Sequence, residues 1–166
     1  MLPNIDVRIA NMIKAIEQVV LPALPKSERL ARDQAMLVAG HLRMITGQWK
    51  NALRFEQVTL DALIGLADKL SGIVAEPFAG ELAKAAECAR AADRGNIDGL
   101  EAAYTALGHV IDNAILGGPD HVPLPQAAVD ALFDYGSRNA QLERTWFKAI
   151  GFDPDRAELP EIADVL

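Results

Sequence analysis

Between its prolines and glycines the chain never alternates apolar with polar residues. Apolar side chains instead recur at intervals of three and four, segment after segment. That spacing lines them up on one stripe of an α-helix and does not produce the two-faced pattern of a half-buried strand. The fold expected is all-α, an up-and-down type helical bundle of about five helices. At 166 residues the chain has the size of one domain, and such a length buries about two thirds of its unfolded surface without needing a disulfide or a metal. We take residues 1–152 as a single bundle domain and residues 153–166, with Pro154 and Pro160, as a C-terminal tail.

The helix boundaries follow from capping chemistry. Asn4 is a good N-cap with Asp6 in the first turn, and the helix it opens carries Ile5, Ile9, Met12, Ile13, Ile16, Val19 and Val20 on one face until Pro22 and Pro25 end it. Ser27 is expected to cap a second helix, in which Leu30, Val38, Leu42, Ile45, Trp49, Leu63, Leu66 and Leu70 keep one phase. Nothing obliges a break before Gly72. Continuous from residue 28 to 72, this unusually long central helix would measure about 65 to 70 Å; a kink near Gly47 or a restart near Thr59 is the alternative. Phe78 to Asp93 reads as a third helix, and Gly95-Asn96 separates it from a fourth, Ile97 to Leu116, to make a helical hairpin. Gly117 to Pro123 is a loop, and Pro125 opens a last helix that runs to about Ile150 and stops at Gly151.

Composition excludes several functions. No run approaches the roughly 18 uninterrupted apolar residues of a membrane span, and no basic leader precedes an apolar block, so neither membrane nor secretion is expected. A single cysteine, Cys88, allows no internal disulfide. This fits a reducing, cytoplasmic setting, and among alanines Cys88 reads as a small packing residue. The chain is acidic, with a net charge of −7, which argues against nucleic acid, whose binding is dominated by clustered Lys and Arg. Arg29, Arg32, Arg43, Lys50 and Arg54 do share one side of the second helix, and they read as a solvated face paired with carboxylates.

On a helical wheel the second helix has an apolar arc about 180° wide, broader than a surface helix needs. Four polar residues fall inside it: Gln34, His41, Gln48 and Glu56, the first three spaced seven apart. The last helix places Asn139 and Glu143 among Leu132, Tyr135, Leu142 and Trp146. Burying such groups without partners costs about 1 to 3 kcal/mol each, and more for a charge. They either satisfy one another, fix register in a homodimer as polar coiled-coil positions do, or line a pocket for a small-molecule ligand. Glu56 lies about 22 Å along the axis from His41 if the helix is straight, so Glu143 is the expected partner of His41.

Neither a metal nor another cofactor is expected. There are three histidines, no Glu-x-x-His pair and no His-Glu-x-x-His, the spacings that set two ligands together on one helix. His109 falls on a polar helix side and reads as solvated, whereas His121, in the Gly-Gly-Pro-Asp loop, could reach a site mouth. No nucleophile elbow or phosphate loop occurs, and Trp49 and Trp146 read as core. The leading functional expectation is a non-catalytic association protein, a homodimer or an accessory subunit. The alternative is a small-molecule- or metal-binding helical-bundle enzyme or sensor that uses the polar residues as an internal pocket.

Overall fold

A computed structural model describes residues 4–117, 123–151 and 153–166, and among these residues all regular structure is helical. The chain folds into two compact units.

The smaller unit contains residues 4–51 and 143–165. Its first helix, α1 (Ile5–Ala15), is capped by Asn4, whose side chain accepts a hydrogen bond from the Val7 N–H at 2.9 Å. Pro22 has no N–H to give and its ring crowds the carbonyl four residues back, so the regular ladder cannot continue. The chain relaxes into a π turn over Ile16–Val20, with the Leu21 N–H reaching the Ile16 carbonyl, before a last short turn, α2 (Leu21–Ala23).

It returns as α3 (Arg29–Gln48), antiparallel to α1. Near the turn, Arg32 donates to the carbonyls of Leu21 and Leu24 at 2.8 and 3.1 Å. Farther along, Arg43 pairs with Glu17. At the far end the Trp49 indole and the Lys50 ammonium both donate to Asp6, at 2.9 and 2.7 Å. These bonds hold against α1 the side of α3 that bears Ala35, Ala39 and Leu42, and Ala39 is buried.

The segment after residue 153 is tied into this unit. Arg144 grips Asp153 with two hydrogen bonds of 2.7 and 3.0 Å, Lys148 donates to the Leu159 carbonyl at 2.8 Å, and Leu159 is buried. The Arg144 guanidinium holds the Asp153 carboxyl below the usual carboxylate range.

The larger unit contains residues 52–142. Here α4 (Ala52–Ser71), α5 (Phe78–Arg90) and α6 (Ile97–Leu116) each pack against the other two. Leu60, Leu70, Leu82, Leu100 and Leu107 are fully enclosed between them. The early part of α7 (Gln126–Trp146) adds Ala128, with Leu132 and Tyr135 at the margin. The bounds of α6 match the sequence expectation because both ends are chemically marked. Asn96 accepts from the Gly99 N–H, and Gly117 closes the helix at φ 71°, a conformation that favours glycine.

Three expectations are corrected. The single helix from 28 to 72 is two helices, broken at residues 49–51, close to the alternative near Gly47 and well before Thr59. In a continuing helix the Asn51 N–H would take the Gly47 carbonyl. Instead the Asn51 side chain takes that carbonyl at 3.2 Å, and its N–H turns to Gln48 at 2.8 Å. Thr59 sits inside α4, its hydroxyl bonded back to the Phe55 and Glu56 carbonyls. The break, with the short segments at either end of the chain, also replaces the count of about five helices. Lastly, α3 begins at Arg29 behind Glu28, which makes no side-chain cap, so Ser27 does not serve as one.

Candidate interaction surface

Gln34 and His41 stand on the outside of the protein. At about 100° per residue, His41 lies roughly 160° round α3 from Ala39, the side chain most deeply buried in that helix. The outward arc therefore carries Leu30, Gln34, Leu37, Val38, His41 and Ile45. Its apolar members keep 74% (Leu30), 37% (Leu37), 49% (Val38) and 41% (Ile45) of their surface exposed. Among the described residues neither the Gln34 amide nor the His41 imidazole has a hydrogen-bond or ion-pair partner, and no bond joins His41 to Glu143.

Gln48, next in the series of seven, is different. It is buried, and its amide donates to the Trp146 carbonyl at 2.8 Å, so the chain itself closes that end of the seam. Loss of this amide would forfeit the bond, at about 0.5 to 1.5 kcal/mol. The expected arc is split: Leu30, Val38 and Ile45 face outward, whereas Leu42 and Trp49 lie toward α1, which packs on the alanine-bearing side. That side also holds the basic residues: Arg32, Arg43 and Lys50 all point to α1 or its turn. Arg43 and Lys50 are paired with carboxylates there.

A second stripe of the same kind runs along the first helical segment. Ile5, Met12 and Val19, again seven apart, are exposed to 46%, 46% and 66%. In the larger unit the exposed large apolar side chains among the described residues are Ile97, Leu116 and Phe133, one each on different helices or helix ends. No helix of the described residues is long and apolar enough to cross a membrane.

The other candidate residues do not extend this surface. Glu56 and Asn139 belong to the larger unit and are half-buried, whereas Glu143, in the smaller unit, is exposed. His109 is exposed beside Asp98, Glu101 and Thr105, and His121 lies outside the described residues. Among the described residues no group of three or more His, Cys, Asp or Glu side chains is placed to hold a metal ion. Cys88 is exposed rather than packed. It lines an open apolar groove of about 410 Å³ between α5 and α6, with Ala85, Ala89, Ala103, Leu107 and Val110. Sequence reasoning did not single this groove out; the signal was the pairing of small residues, Ala85 and Ala89 on one helix with Ala103 on the next.

The acidity of Glu56 is displaced. Partial burial pushes its carboxyl above the usual glutamate value, and the like charge of Glu101 adds to the rise. Since the folded state favours the protonated form, the ionised carboxylate weakens the fold at neutral pH, and this penalty fades as pH falls through the raised value. Glu56→Gln is therefore expected to raise the melting temperature by about 1 to 2 °C at pH 7 and to lose that advantage near pH 4. Thermal unfolding followed by circular dichroism at both pH values checks this. An equal gain at both would show that ionisation plays no part.

Comparison with protein-family models, with curated proteins and with solved structures gives no match.

Proposed function

We propose that this is a non-catalytic helical protein that works by association, as a homodimer or as an accessory subunit, through the exposed apolar stripes of residues 5–45. The observation that supports this reading is the concentration of large exposed apolar side chains on α1 and α3, against scattered ones in the larger unit. Single exposed apolar residues are ordinary, but contiguous stripes mark surfaces that another molecule covers. Each exposed Leu, Ile or Val withdrawn from water contributes on the order of 1 to 2 kcal/mol toward association. The single exposed thiol suits the reducing, cytoplasmic compartment we assign to it.

Light scattering after gel filtration tests the homodimer. At tens of micromolar the expected mass is twice the 17.9 kDa of the chain. A mass of one chain at that concentration would overturn the homodimer.

A further inference from the structure

Resting on that reading, we infer that α3 docks antiparallel against α3 of a second copy, across a two-fold axis between Leu37 and Val38, with the Gln34 amide hydrogen-bonded to the partner's His41. The outward positions Leu30, Gln34, Leu37, Val38, His41 and Ile45 include no Asp, Glu, Lys or Arg; Arg32 and Arg43 are engaged on the α1 side, and Asp33 stands exposed at the edge of the arc. A chain of net charge −7 meets a copy of itself at least electrostatic cost through such a neutral strip.

Hydrogen-bonding capacity points the same way. A glutamine amide and a neutral imidazole each carry both a donor and an acceptor. They can therefore serve one another across a symmetry axis whichever of the two donates. The order of residues then selects the direction. A two-fold axis midway between residues 37 and 38 sets residue n of one copy opposite residue 75 − n of the other. Leu30 then meets the partner's Ile45, Leu37 meets the partner's Val38, and Gln34 meets the partner's His41. Every outward residue of the arc finds a counterpart of its own chemistry, and each exposed polar group gains a partner, as isologous pairing requires. A parallel arrangement would instead set each His41 against its own copy, so that protonation would place two cations face to face.

Cysteine cross-linking in a Cys88→Ser background tests the arrangement. Gln34→Cys and His41→Cys are made singly and together, oxidised, and run on a non-reducing gel beside light scattering of the unoxidised proteins. Antiparallel docking brings residue 34 of one copy to residue 41 of the other, so the double variant is expected to form a covalent dimer and the single variants none. Within one helix these positions lie about 10 Å apart, beyond the reach of a disulfide, so a bond in the double variant joins two copies. Cross-linking by either single variant would show parallel docking and overturn the inference. A double variant that remains dimeric yet fails to cross-link would place the interface elsewhere, overturning the inference while leaving association intact. A wild-type chain that is monomeric would overturn both.

Discussion

Leu100→Ala is expected to lower the melting temperature by about 10 °C or more, the largest stability loss of any single truncation considered for this chain. Leu100 is fully enclosed at the start of α6, among core side chains that include Leu60, Leu70, Leu82 and Leu107. Removing most of its side chain forfeits the transfer free energy of the lost carbons and leaves a cavity that close-packed neighbours cannot collapse to fill, about 2 to 5 kcal/mol together. A loss of 1 kcal/mol shifts the midpoint of a domain of 60 to 100 residues by about 4 to 8 °C, and the larger unit falls in this range. Leu30→Ala is the control. Leu30 is 74% exposed, and its truncation is expected to change stability by no more than about 0.5 kcal/mol. Circular dichroism melts of the two variants check this, and equal shifts would contradict the packing of α4, α5 and α6 around Leu100.

Much of this organisation was legible because it depends on local chemistry. Asn4 and Asn96 announce helix starts with a side-chain acceptor, and Gly117 and Gly151 end helices at positive φ. The apolar phase through Leu63, Leu66 and Leu70 correctly marked the buried side of α4. Failure came where two local signals competed or where a partner helix decided the outcome. Asn51 sits in an uninterrupted helical pattern, and only the geometry shows its side chain taking the carbonyl that its own N–H would have used. The arc of Leu30, Val38 and Ile45 reads as core because it is apolar. A wheel cannot say whether anything covers an arc, and α1 chose the opposite side, where Ala35 and Ala39 allow close approach and Arg32 and Arg43 find acceptors. A pairing of His41 with Glu143 requires both to face inward; both are exposed. The spacing of Gln34 and His41 marks the strip that α3 presents to the outside, whereas Gln48, the third of the series, is buried against the Trp146 carbonyl.

Val38→Glu carries the second large effect. Val38 is half exposed in the single chain, and glutamate is a better helix former than valine, so the fold of the monomer should tolerate the change. In a dimer joined through α3, the substitution places two unpaired carboxylates beside the axis. Desolvating an unpaired carboxylate costs more than about 3 kcal/mol, which converts to a dissociation constant at least about 100-fold weaker. The same change at Phe133, which is 72% exposed on α7 in the larger unit, should leave association as it was.

Sedimentation equilibrium of the wild-type, Val38→Glu and Phe133→Glu proteins over a dilution series reads the three dissociation constants side by side. Self-association through the outward face of α3 predicts a dimer for the wild type and for Phe133→Glu, and a monomer for Val38→Glu at the same concentrations with its circular dichroism unchanged. A Val38→Glu protein that dimerises as tightly as the wild type would contradict it.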